Sequence, residues 1–105
     1  MNDVETKNMT LLTRALVTLA SPDEALAFLL ELCTPQEARM MAQRMGIAEL
    51  LIQGIPQVTI TEMMCSGDGS SKPSTATIAR VNGVVKNGEG HLRNIILRIS
   101  DAQGC

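Results

Sequence analysis

Ser74-Thr75-Ala76-Thr77-Ile78-Ala79-Arg80-Val81-Asn82 is the stretch whose reading decides the fold of this chain. It sets small polar residues on the first turn of a helix whose apolar positions Ile78, Val81 and Val85 recur at three- and four-residue spacing, as a helix with one buried face requires. Ser74 or Thr75 starts that helix. Directly before it, Ser66-Gly67-Asp68-Gly69-Ser70-Ser71-Lys72-Pro73 concentrates turn-forming residues and cannot continue a helix. Earlier still, Thr59 to Cys65 reads as a short helix, with Thr59 as its cap and Glu62 at the third helical position. A short helix, a polar loop and a second helix led by hydroxyl side chains make up a helix-turn-helix. In that motif the amino-terminal residues of the second helix reach base edges in the major groove. Short hydroxyl groups suit the position because they allow close approach and can donate or accept a hydrogen bond.

Helices are expected on both sides of this motif. After Asn87-Gly88-Glu89-Gly90 a last helix begins near His91, with Leu92, Ile95, Ile96 and Ile99 as its buried stripe and Arg93 and Arg98 outside. Towards the amino terminus, Met9 to Leu19 carries Leu12, Ala15, Leu16 and Leu19 at helical spacing. Ser21-Pro22-Asp23-Glu24 then combines a cap, a proline at the first helical position and a glutamate able to return a bond. The helix it opens, with Leu26, Ala27, Phe28, Leu29 and Leu30, is apolar nearly all round, which predicts burial against another chain as well as its own. Thr34-Pro35-Gln36-Glu37 repeats the start signal for a long helix that runs to about Gln53, before Gly54 and Pro56. Its methionines, Met40, Met41 and Met45, are read as packing residues.

A chain of 105 residues with 45% hydrophobic content is sized for one domain, spanning 1–105, with residues 1–8 and 100–105 expected to be flexible and 66–73 an extended loop inside the motif. Phe28 is its single aromatic residue, so a core of Leu, Ile, Met and Ala gains from apolar surface shared with a partner subunit. The net charge of −2 is unevenly spread. Residues 1–52 hold four cations against seven carboxylates, whereas residues 70–98 hold Lys72, Arg80, Lys86, Arg93 and Arg98 against Glu89 alone. A local basic field of this kind is what phosphate contact needs. Cys33, Cys65 and Cys105 are odd in number and far apart, and His91 stands alone, so no disulfide framework, metal site or catalytic constellation can be assembled. The expectation is a non-enzyme without metal or cofactor. No apolar run reaches membrane-spanning length and no signal-peptide pattern opens the chain, which predicts a cytoplasmic protein with no membrane association.

Several blocks in one order carry a family resemblance: Leu32-Cys33-Thr34-Pro35-Gln36-Glu37, the spacing to Arg44, Glu49-Leu50-Leu51-Ile52-Gln53-Gly54, and Ser74-Thr75-Ala76-Thr77-Ile78-Ala79-Arg80. Together they resemble the Trp repressor superfamily over roughly residues 20–99. Arg80-Val81-Asn82 and Lys86-Asn87-Gly88-Glu89-Gly90 look most like its Trp-repressor-like YerC/YecD branch. The resemblance implies an all-α fold of about six helices forming an intertwined homodimer, with one helix-turn-helix per subunit. It also implies that tryptophan, where bound, would meet Thr34, Arg44 and Arg80; two guanidiniums suit a planar ligand bearing a carboxylate. Val81-Asn82-Gly83-Val84 replaces the family's serine-containing segment, so neither tryptophan nor another small effector is favoured. Thr61 and Met64 stand where the repressor presents basic side chains, and the loop at 66–73 exceeds the usual three or four residues of the turn.

These readings converge on a transcriptional regulator that binds double-stranded DNA as a symmetric dimer on a palindromic operator. Ser74, Thr75, Thr77 and Ala79 would face bases, while Lys72, Arg80 and Lys86 would meet phosphates. The alternatives are a dimeric helical interaction module with weak or no DNA binding, and a repressor responsive to tryptophan or another small ligand.

Overall fold

A computed structural model describes residues 1–64 and 74–103, with side chains described to Ser100. Among these residues the chain forms six α-helices and no strands: α1 (Asp3–Leu16), α2 (Pro22–Leu32), α3 (Pro35–Ile52), α4 (Gln57–Met64), α5 (Thr75–Asn87) and α6 (His91–Gln103). None of them is long and apolar enough to cross a membrane. The chain divides into two compact units, Met1–Ala38 and Arg39–Cys105.

Unit 1 is built by its caps. The Asn2 side chain accepts from the Glu5 amide at 2.9 Å and donates to the Glu5 carboxylate at 3.1 Å, so α1 starts well before the Met9 expected from its apolar spacing. The helix stops at Leu16 rather than Leu19. Ser21 caps α2 as anticipated, accepting from the Glu24 amide at 3.1 Å. The returning bond differs by one residue, for the Glu24 carboxylate accepts from the Ala20 amide at 2.8 Å. Thr34 and Glu37 close the reciprocal pair that opens α3, at 3.1 and 2.8 Å. No residue of α1 or α2 is buried. Of the apolar surface of α2, expected to be enclosed, Leu26, Leu30 and Leu32 are exposed and Phe28 and Leu29 half-buried among the described residues.

Unit 2 holds the core. Ile47 and Ala48 of α3, Ile60 of α4, Ile78, Val81 and Val85 of α5, and Ile96 of α6 are buried together, with Leu50, Leu51, Ile52, Ile55, Met64 and Leu92 packed around them. Gly54 ends α3 in the left-handed region, at φ +88°, where a side chain would be strained. Its amide donates to the Leu51 carbonyl at 3.0 Å while the Ile55 amide donates to Leu50, also at 3.0 Å. These two bonds satisfy carbonyls that the helix leaves free.

The start of α4 corrects the sequence reading. The Ile60 amide donates to the Pro56 carbonyl at 3.0 Å, so the helix begins at Gln57 and Thr59 lies inside it rather than capping it. In α6 only Ile96 of the expected stripe is buried; Leu92 is half-buried, and Ile95 and Ile99 are exposed. The helix continues to Gln103, past the Ser100 where fraying was expected.

Candidate nucleic-acid interface

Helices α4 and α5 pack against each other within unit 2, and α5 packs in turn on α6. This is the helix pair expected of the motif. The connection occupies residues 65–74, and Lys72 with the rest of the 66–73 loop lies outside the described residues. Of the three cysteines, Cys33 is half-buried beside the end of α2, while Cys65 and Cys105 lie outside the described residues.

The local sequence explains how α5 is held. Ser74 has extended backbone (φ −75°, ψ 157°), and its hydroxyl accepts from the Thr77 amide at 3.1 Å, one of the free donors every helix start must satisfy. Ile78, Val81 and Val85 then root one side of the helix in the core. With that side fixed, the opposite side is presented outward. Thr75, Ala76, Ala79, Arg80 and Lys86 are exposed, Thr77, Asn82 and Gly83 half-buried. At 100° per residue Thr77 stands about 160° round the helix from Ala79, so the four expected base-facing residues do not share one side. Thr75 and Ala79 lie outward, Thr77 rises on the flank of the buried stripe, and Ser74 sits at the helix tip.

Ala76, which the sequence reading left out, faces the middle of the outward side. Its signal was available: it lies opposite Ile78, Val81 and Val85 in helical phase. A methyl group there lets the backbone come close to a flat surface. Among the described cations, Arg80 and Lys86 are exposed on α5, and Arg93 and Arg98 on α6. His91 lies 3.4 Å from Glu89, both well exposed, at the turn between these helices. By contrast α4, Gln57 to Met64, has no lysine or arginine and carries Glu62.

The residues implied for a ligand are differently engaged. In unit 1 the Thr34 hydroxyl accepts from the Glu37 amide, a sufficient structural role for it. Hydrogen bonding to Thr34 backbone and side chain stabilises the charged Glu37 carboxylate and lowers its pKa below the usual value. In unit 2 Arg44 and Arg80 are both exposed. Val81, in the segment replacing the family's serine, belongs to the core. Among the described residues no group of three or more His, Cys, Asp or Glu side chains comes together to hold a metal.

Comparison with known proteins places these features. The model of the Trp repressor protein family matches residues 7–100. A TrpR-like protein from Eubacterium eligens has the same fold, with a TM-score of 0.77 at 28% identity, covering 94% of this chain and 95% of that one. A Trp repressor candidate from Staphylococcus aureus gives a TM-score of 0.76, again at 28% identity and with coverage of 94% and 95%. No curated protein sequence matches the chain.

Proposed function

Since this chain belongs to the Trp repressor family, a family of helical DNA-binding regulators, we propose that it is a sequence-specific transcriptional repressor acting as a symmetric homodimer on a palindromic operator. The observation that carries this reading is the presentation of α5. Its core residues Ile78, Val81 and Val85 fix one side, so that Thr75, Ala76 and Ala79 face outward near a capped amino-terminal tip, with Arg80 and Lys86 beside them. Small side chains admit the helix to the groove, and the two cations reach phosphates on its walls. Lys72, which precedes α5 in the sequence and lies outside the described residues, is read as a third phosphate contact. A two-fold dimer presents two such helices, which is why the operator is palindromic. The whole chain, 1–105, works as one cytoplasmic regulatory domain.

Within the family, the resemblance of Arg80-Val81-Asn82 and Lys86-Asn87-Gly88-Glu89-Gly90 supports a place in the YerC/YecD-like branch rather than among tryptophan-responsive repressors. The engaged Thr34 hydroxyl and the buried Val81 support repression without a tryptophan corepressor.

Sequencing the genomic fragments recovered with the purified protein tests the reading. A shared palindromic element is expected. In gel shifts on that element, Lys86→Ala weakens binding to all sequences alike and lowers the salt slope by about 1. Recovery of fragments without a common element would refute it. One observation favours a second reading, a helical interaction module with weak DNA binding: α4 lacks basic residues, and fewer displaced counterions mean weaker attachment. That reading predicts no salt-dependent retention on heparin.

A further inference from the structure

Ser74 and Thr77 are not independent hydroxyls. The Ser74 Oγ accepts the Thr77 amide at 3.1 Å and lies 3.0 Å from the Thr77 Oγ1, within hydrogen-bonding distance. Two hydroxyl groups bring two protons, and the bond between them uses one. The pair can therefore offer a single O–H to anything outside. Accepting an N–H polarises the Ser74 hydroxyl and makes it the better donor, because hydrogen bonds in a chain strengthen one another. The chain then runs from the Thr77 N–H to the Ser74 Oγ and from the Ser74 O–H to the Thr77 Oγ1. It leaves the Thr77 proton free. Thr77 is half-buried on the flank of α5, so which way its hydroxyl points decides whether it can reach a base at all.

We propose that Ser74 is a positioning residue that contacts no base itself but fixes the Thr77 side chain and leaves its hydroxyl as a hydrogen-bond donor for the DNA. The proposal rests on the DNA-reading role assigned to α5 above. The groups recognised are acceptors on the major-groove edge: purine N7, guanine O6 or thymine O4. The exposed amino group of cytosine does not offer that acceptor. Specificity at one base pair is thus set by a residue three positions away, through the same hydroxyl that caps the helix.

Two measurements test this, one without DNA. In the free protein, three-bond NMR couplings should show Thr77 in one χ1 well, and Ser74→Ala should release it into averaging. With randomised duplexes, the parent should favour an acceptor base at one pair per half-site, a preference Thr77→Val loses by about 5- to 150-fold. Ser74→Asp keeps a side-chain acceptor for the Thr77 amide but, ionised, has no proton to donate, so Thr77 turns its own proton inward; the added charge weakens binding to every sequence alike and leaves the base preference readable. Ser74→Asp should lose the same preference at the same pair, with no further loss in Ser74→Asp/Thr77→Val, while Ser74→Thr retains it. The proposal is overturned if Ser74→Ala leaves the Thr77 couplings unchanged, if Ser74→Asp keeps the preference, or if Ser74 substitutions change a different pair. A parent that selects no sequence, although its Thr77 is locked by Ser74, refutes the DNA reading and this role with it. The coupling measurement tells that failure apart from failure of the positioning alone.

Discussion

Replacing Leu26 and Leu30 together by alanine should dismantle the proposed dimer while leaving each chain's own core intact. The two leucines lie one helical turn apart on α2, 56% and 50% exposed, in a unit that buries none of its residues. Full burial of a leucine contributes about 1.5–3 kcal/mol, so covering the remaining half contributes about 1 kcal/mol each. With two leucines in each of two chains, the substitution removes about 4 kcal/mol from association, which raises the dissociation constant about a thousandfold. Alanine is the strongest helix former, so α2 keeps its local preference. Sedimentation equilibrium across a concentration series should show the parent at twice the chain mass in the micromolar range, and the double variant shifting towards monomer. The parent's Tm should also rise with concentration, since a dimer that forms only from folded chains is stabilised by mass action. A parent that remains a folded monomer, or a variant with unchanged dissociation constant, would refute the assignment of α2 to the interface.

Ile60→Ala empties a fully buried position between α4 and the rest of the core, and chemical denaturation should show a loss of about 2–5 kcal/mol. The Glu37 carboxylate titrates lower when folded than when unfolded, so its contribution is fully present above about pH 4.5 and is lost as pH falls through its folded value. Thermal melts between neutral and acid pH should therefore show a shallower acid decline for Glu37→Gln than for the parent; parallel curves would rule the contribution out. Arg80→Ala should weaken operator binding equally with and without tryptophan in a titration by fluorescence anisotropy. A tryptophan-dependent gain that vanishes in Arg44→Ala and Arg80→Ala would restore a corepressor role, since an effector acts only through different affinity for the two states.

What could be read from the sequence was whatever local chemistry specifies. The stripe Ile78, Val81 and Val85, the cap at Ser74, the starts at Ser21 and Thr34 and the stop at Gly54 all rest on spacing or on a side chain bonding its own backbone. Even so, α1 starts earlier than its apolar spacing indicates, because periodicity is silent over a polar first turn; Asn2 and Glu5 form a reciprocal pair like that of α3, but with the Asn2 side-chain amide donating to the Glu5 carboxylate where α3 uses the Thr34 backbone amide. At α4 the first acceptor is the Pro56 backbone carbonyl, which no side-chain pattern announces, whereas Thr59 has the residue type of a cap and lies inside the helix. Burial was harder than helicity. Ile95 and Ile99 share helical spacing with Ile96, but only packing between helices decides which of them is covered. At the candidate interface the residue types were legible and their grouping was not, because Ser74 and Thr77 turned out to spend part of their bonding on each other.

Gly88 separates two kinds of evolutionary freedom. A β-carbon there would lie 2.5 Å from the Val84 carbonyl oxygen, the same oxygen that accepts the Gly88 amide at 3.0 Å. Two residues on, Gly90 holds φ at +93°, and its carbonyl accepts the Asn94 amide that begins α6. The elbow between α5 and α6 is thus written in main-chain atoms and owes nothing to the side chains on the outward side of α5. Gly83, on that outward side, has open space where a β-carbon would go. Substitutions at the proposed contact surface can then accumulate without bending the frame that carries it, so that if α5 reads DNA, new target sites can be acquired one residue at a time on a fixed scaffold.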